Sequence, residues 1–165
     1  MKTRDFLGNT WGYDCLGCAI ARQELALPGG FIRRTSHFCL HQDPLIPLPG
    51  FLVIASLRHI HSISDMTESE YGEFSALVRD TPAAIKKSTR VEFLTLVQEE
   101  HSVHFHLWFF PWLPEIIRKY GEPSLTTIRA IMGDYSRQPI RNHEWEKLQK
   151  TIESLKLLMA DDYPA

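Results

Sequence analysis

A chain of 165 residues with 44% hydrophobic and 23% charged residues has the make-up of one globular domain that buries its own core without disulfides. Its formal net charge of -2, from 18 Lys+Arg against 20 Asp+Glu, argues against a broad nucleic-acid-binding surface. No run is long and apolar enough to span a membrane, and Met1-Lys2-Thr3-Arg4-Asp5 is followed by no apolar signal region, so a cytoplasmic protein is expected.

Residues 1–14 carry no periodicity and are expected to form an irregular arm. Ala19–Leu25 suits a short helix, ended by Leu27-Pro28-Gly29-Gly30. Phe31–Leu40 has strand-like residues, with a turn at Arg33-Arg34-Thr35-Ser36. The stretch Asp43-Pro44-Leu45-Ile46-Pro47-Leu48-Pro49-Gly50 is too rich in proline for either regular element and predicts a constrained loop. Phe51-Leu52-Val53-Ile54-Ala55 is a continuous apolar run, hence a buried strand. Thr67-Glu68-Ser69-Glu70 matches a capping box and predicts a helix with Tyr71, Phe74, Leu77 and Val78 facing inward, kinked or split at Pro82. Phe93–Val97 predicts another strand, followed by a tight connection through Glu99-Glu100-His101-Ser102. Helical character returns at 124–133, and Asn142 is placed to cap a last helix carrying Trp145, Leu148, Ile152 and Leu155 at helical spacing, a stripe for packing. The whole predicts an antiparallel α+β layout with one long helix packed on the sheet. Residues 113–165 read as a helical extension of the same domain as 1–112.

The chemistry concentrates in His104-Phe105-His106-Leu107-Trp108-Phe109-Phe110-Pro111. On a strand, residues two apart share a face, so His104, His106, Trp108 and Phe110 line one side while Phe105, Leu107 and Phe109 are buried on the other. Two imidazoles on a rigid strand suit a metal or a nucleophilic site, although exposed or capping histidines give the same pattern. Cys15 and Cys18 form a C-x-x-C, while Cys39 stands alone as a small buried apolar residue. The pair is a coincidence, a redox dithiol or half of a metal site. A redox motif opens a helix after a strand, and nothing strand-like precedes Cys15. A closed zinc site takes four ligands, commonly two thiolates and two imidazoles. The candidates for the second pair are His37, His41, His59, His61, His101, His104, His106 and His143, and composition does not choose among them.

Three blocks in order, Asp14-Cys15-Leu16-Gly17-Cys18, Pro49-Gly50-Phe51-Leu52-Val53-Ile54-Ala55-Ser56-Leu57-Arg58-His59, and the histidine strand, resemble the histidine-triad (HIT) superfamily over roughly residues 12–112. The resemblance implies an α+β fold with an antiparallel sheet of about five strands and a long packed helix. It implies structural zinc held by Cys15, Cys18, His59 and His104, a pattern shared with the related galactose-1-phosphate uridylyltransferases. It makes His106 the nucleophile that attacks an α-phosphate to form a covalent nucleotidyl-histidine. It gives Asp43, seven residues before Gly50, a ribose-binding role, beside its simpler role as a turn residue before Pro44. The implied partners are a nucleotide-type small molecule and a second copy of the chain, joined sheet edge to sheet edge through the long helix.

The sequence departs from the triad pattern at two positions: Trp108 stands where the third histidine belongs, and Trp112 where arginine is usual. Tryptophan offers one N–H donor and is no general acid near neutral pH. Phosphate donors are then Ser102, the backbone N–H groups of 101–103 and Trp108 Nε1. The acidic Glu99-Glu100 beside them disfavours a highly charged polyphosphate. Phe38 and Phe51 are base-stacking or core residues, and His41 and His61 have no assigned role. The leading function is a zinc-stabilised nucleotidyl hydrolase or transferase working through His106. The alternatives are a nucleotide-binding or scaffold protein with weak chemistry, suggested by Trp108 and Trp112, and, more distantly, a redox dithiol enzyme.

Overall fold

The structure, a computed structural model, describes residues 1–136 and 139–160; the last five residues of the 113–165 extension and residues 137–138 lie outside it. The first fourteen residues are not irregular. They hold a small hairpin of β1 (Lys2–Arg4) and β2 (Thr10–Gly12), with Thr3 opposite Trp11. Asp5 Oδ1 accepts from the amides of Leu7 and Asn9 at 3.0 and 2.8 Å and closes the turn. Strands of three residues are too short to display a period of two.

Helix α1 is Leu16–Ala21, so it starts and ends earlier than the Ala19–Leu25 expected from sequence, and Cys15 is its N-cap. Strands β3 (Phe31–Arg34) and β4 (Phe38–Gln42) form a hairpin, and β5 (Leu52–Ser56) follows the proline-rich loop. Helix α2 (Glu68–Ser88) precedes β6 (Phe93–Gln98) and β7 (His106–Trp112). The five strands make one antiparallel sheet in the order β3-β4-β5-β7-β6. The histidine strand therefore sits inside the sheet, whose two edges are β3 and β6.

The capping box of α2 is formed: the Glu70 amide donates to Thr67 Oγ1 at 3.2 Å and the Thr67 amide to Glu70 Oε2 at 2.7 Å. Pro82 lies within this helix and does not split it. Phe74 and Leu77 before the proline, and Ala84 and Ile85 after it, bury in the same core and anchor both halves. Tyr71 departs from the inward stripe and is 53% exposed. Glu70 takes the inward position at that turn, bound by Arg58 through Nε at 2.9 Å and Nη2 at 2.8 Å. That guanidinium holds the Glu70 carboxyl down at about 2.

The two sheet faces are covered differently. One face carries Phe38, Leu40, Leu52, Ile54, Leu107 and Phe109, buried with α2 residues and with Leu148, Ile152 and Leu155 of α5 (Asn142–Leu158). The start of α5 differs from expectation: Asn142 is its first residue and Arg141 the N-cap, whose amide donates to Glu144 Oε2 at 2.8 Å. On the other face, Cys39 and Ala55 pack with Ile20 of α1. Farther along that face, Phe51, Phe110 and Trp112 pack with Ile46 and Leu48 of the loop. Ile116 of α3 (Pro114–Tyr120) and Ile128 and Ile131 of α4 (Leu125–Tyr135) complete this cluster. Helix α3 was not anticipated, although Pro114 at its first turn and Gly121 (φ 82°) at its end are recognisable boundary signals. No helix among the described residues is long and apolar enough to cross a membrane.

Candidate functional site

Cross-strand register decides which residues share the second face. Cys39, Ala55 and His106 form one row, and His41, Val53, Trp108 and Val97 the next. Between the α1 cluster and the α3–α4 cluster this face therefore presents His106, Trp108 and His41 around the small side chains of Ala55 and Val53. His104 precedes β7 instead of lying in it: the strand starts at His106. Phe105 is held by its amide donating to the Ile60 carbonyl at 2.7 Å and its carbonyl accepting from Ser56 at 3.3 Å.

Cys15, Cys18, His59 and His104 converge, with one donor atom from each lying within 4.8 Å of all the others. His104 Nδ1 is 3.3 Å from His59 Nδ1, 3.5 Å from Cys15 Sγ and 3.6 Å from Cys18 Sγ. His59 Nδ1 lies 3.6 Å from Cys15 Sγ and 3.0 Å from Cys18 Sγ. Tetrahedral zinc with ordinary Zn–N and Zn–S bonds requires ligand–ligand edges of about 3.3–3.8 Å. Four of these five pairs lie in that range, and the His59–Cys18 pair, at 3.0 Å, is shorter. The tautomer of His104 is fixed for the same purpose. Its Nε2–H donates to the Ser56 carbonyl at 2.8 Å, which leaves the Nδ1 lone pair facing the thiols. Burial, assisted by the neighbouring His59, His106 and His61, keeps His104 below its ordinary pKa and so neutral. Burial and the adjacent Cys15 raise the Cys18 thiol, as expected for two sulfurs close together without a cation. The donor set thus fits Zn2+.

The sequence pattern gives Gly17 no role of its own, and the fold does. A Cβ there would lie 2.3 Å from His104 Cγ, so the helix backbone itself is the wall against which the imidazole stacks. The glycine inside the C-x-x-C was the available signal.

His106 is half-buried, and its Nδ1–H donates to the His104 carbonyl at 2.9 Å. A carbonyl only accepts, so the proton is on Nδ1 and the lone pair on Nε2. The same carbonyl accepts from Ser102 Oγ at 2.9 Å. Ser102 thus spends its proton on the strand that aims His106, and in this arrangement its hydroxyl is not a free donor for phosphate. Trp108 packs on His106, with ring centroids 5.4 Å apart, and edge-on to Phe51 at 5.8 Å. The connection before the strand is pinned by Ser62 Oγ donating to Glu100 Oε2, and by His61 Nδ1–H donating to the Ser102 carbonyl at 2.8 Å. His101 turns the chain with φ 56°.

Asp43 is buried, and its Oδ1 accepts from the amides of Leu45 and Ile46, both at 2.8 Å. The turn role is therefore realised, and burial raises its carboxyl to about 6 despite those two bonds. Phe38 and Phe51 are fully buried core residues, as is Trp112, whose Nε1–H donates to Thr95 Oγ1 at 2.8 Å. Cys39 is also fully buried, with burial pushing its thiol up to about 12, an inert core residue as expected.

No family model matches the sequence, and no curated protein is detectably similar to it. Solved structures are similar in fold. A hypothetical histidine triad nucleotide-binding protein from Sulfolobus tokodaii strain7 superposes with TM-score 0.63 at 20% identity, covering 92% of this chain and all of that one. A Hit-like protein from Bartonella henselae, described as involved in cell-cycle regulation, gives 0.63 at 11% identity over the same shares. A Zn-bound histidine triad family protein from Mycobacterium smegmatis gives 0.59 at 15% identity, covering 86% of this chain and 95% of that one. The fold is that of the histidine-triad proteins, with a four-donor Cys/His cluster beside its central strand.

Proposed function

We propose that this protein is a zinc-containing nucleotidyl hydrolase or transferase that cleaves a nucleoside 5′-phosphate conjugate at the α-phosphate through His106. The observation that carries this reading is the fixed tautomer of His106: Nδ1–H is committed to the His104 carbonyl, so Nε2 is the nitrogen that carries the lone pair in the uncharged ring. In the first step Nε2 bonds to the α-phosphorus and the bond to the leaving group breaks, its electron pair departing with that group. In the second step water displaces the imidazole, releasing the mononucleotide; with another acceptor in place of water the outcome is transfer. Backbone N–H groups of 101–103 and Trp108 Nε1 are the donors for the phosphate oxygens.

Cys15, Cys18, His59 and His104 would hold the zinc, which supplies structural cross-linking of α1 to the start of β7 and no chemistry on phosphorus. A thiolate pair of this kind suits a reducing compartment such as the cytoplasm. Residues 113–165 belong to the same domain as 1–112 in this reading, because α5 shares its core with α2 and the sheet. The homodimer of the same reading uses β6, the edge strand on which Phe93 and Leu96 are exposed. Trp108 in place of a proton-donating third histidine favours a second reading, a nucleotide-binding protein with weak chemistry.

The deciding experiment incubates the zinc-loaded wild type and His106→Ala with α-labelled nucleotide conjugates. Acid-labile label on the wild type and none on the variant is the expected result. Nucleotide binding with no label and no released mononucleotide overturns the enzyme reading in favour of the binding one.

A further inference from the structure

His41 is a buried histidine that the chemistry above does not use. It sits one row from His106, on the same sheet face, directly across Val53 from Trp108. Two inter-strand spacings separate it from the third triad position, about 10 Å between backbones. Its Nδ1–H donates to the Gln42 carbonyl at 2.8 Å, which fixes the tautomer and leaves the lone pair on Nε2. That Nε2 is buried and has no hydrogen-bond partner among the described residues. An aromatic ring without a nitrogen would fill the same place with no unsatisfied acceptor, so the imidazole costs stability unless something donates to it.

We propose that His41 is a substrate-contacting residue whose Nε2 accepts a hydrogen bond from a neutral O–H or N–H donor on the nucleoside half of the nucleotide. The proposal rests on the nucleotide reading of this face given above. The position selects the nucleoside: an α-phosphate in reach of His106 leaves the remainder of the ligand to extend across Val53 toward β4. The chemistry selects it as well. A lone pair repels phosphate oxygens and attracts a hydroxyl or amino hydrogen. Burial, together with the charge His106 carries when protonated, holds His41 down at about 4 although its bond to Gln42 opposes this. At neutral pH its Nε2 is therefore an acceptor only, and His41 a reader of the ligand instead of a proton carrier. His41 and Asp43 would then both serve the nucleoside from the end of β4, and Trp108 in the third triad position leaves that end of the face to aromatic and acceptor contacts.

The test is calorimetric titration of the zinc-loaded full chain, comparing wild type, His41→Phe and His41→Gln. The probes are AMP, 2′,3′-dideoxyadenosine 5′-phosphate, purine riboside 5′-phosphate and inorganic phosphate. His41→Phe is expected to weaken AMP roughly five- to tenfold while leaving inorganic phosphate unchanged, and His41→Gln, which keeps an acceptor near Nε2, to stay within about twofold of wild type. One analogue identifies the donor: loss with the dideoxy sugar points to a sugar hydroxyl, loss with purine riboside to the base amino group. That analogue loses affinity on the wild type and nothing further on His41→Phe. The contact is overturned if AMP binds the Phe variant as it binds wild type, if inorganic phosphate weakens in step with AMP, or if neither analogue discriminates. A wild type that binds no nucleotide overturns it too. His106-dependent labelling that persists with unchanged AMP affinity in His41→Phe removes this contact alone. His41-dependent AMP binding without any labelling removes the covalent chemistry and leaves the contact standing.

Discussion

The two ends of β7 are held by different physics. At its start and just before it, His106 and His104 are aimed by backbone carbonyls, and His104 is one of four convergent metal-type donors, with His59 exposed and α1 only six residues long. At its end, Phe110, Pro111 and Trp112 are buried, and Phe110 and Trp112 join the proline-rich loop, α3 and α4 in an apolar cluster. Apolar packing is non-directional and tolerates many side-chain arrangements of the same volume. A nucleophile needs its lone pair aimed, and only directional bonds supply that. The strand thus keeps its packing at the end remote from the chemistry and its directional contacts at the reactive end.

Substitutions at each end sharpen this contrast. Trp112→Ala should cost about 3–5 kcal/mol in chemical denaturation, the usual range for emptying a buried aromatic site, while zinc content stays at the wild-type ratio. Loss of zinc in that variant would show that the two ends are not independent. Asp43→Asn tests the loop at the packed end. A carboxyl raised to about 6 in the fold and near its ordinary 3.8 when unfolded binds more protons folded, so it weakens the fold as pH rises from about 4 to 6. The Asn variant, which retains an Oδ1 acceptor for Leu45 and Ile46, should be more stable than wild type by about 2–3 kcal/mol above pH 7 and indistinguishable below pH 4. Equal stability at pH 7.5 would contradict the burial of that charge.

At the directional end, Gly17→Ala should push His104 off the α1 backbone and weaken zinc roughly 10- to 100-fold in competition with a chromophoric chelator, with only a modest change in denaturation midpoint. Unchanged zinc affinity would mean that the helix yields instead of the imidazole. The smallest effect is expected from Ser102→Ala. It removes one of two bonds to the His104 carbonyl, worth about 1 kcal/mol, and should slow labelling less than tenfold because His106 Nδ1–H still holds that carbonyl. Abolished labelling would restore Ser102 as a direct phosphate contact.

Much of this organisation was legible in the linear chain. The buried strand at 51–55, the capping box at Thr67, the long helix and the loop of prolines all arise from local periodicity or local bonding, and each appears within a residue or two of its expected place. Elements governed by tertiary contacts were less legible. The hairpin of β1 and β2 depends on Asp5 closing a turn, and α1 contains a glycine whose purpose is an imidazole 87 residues away in sequence (17 to 104). Tyr71 faces outward because Arg58 draws Glu70 inward, a pairing across 12 residues that no helical periodicity encodes. Pro82 stays within its helix because packing on both sides outweighs one missing hydrogen bond.

For the site, the sequence by itself determined the inventory: two cysteines at C-x-x-C spacing, a histidine after the apolar strand, and the H-F-H-x-W run, in an order that resembles one superfamily. Residue types carry their own chemistry, so thiols and imidazoles at these spacings restrict the possible metals and reactions before any fold is known. Only the tertiary structure decided how those groups are used. It brought His59 and His104, of eight histidines, to the cysteines and fixed three imidazole tautomers through the carbonyls of Ser56, His104 and Gln42. It committed the Ser102 hydroxyl to the His104 carbonyl and placed His41 on the face of His106. The physical reason is that a lone pair has a direction, and a direction is set by what the other end of the side chain is bonded to across the sheet.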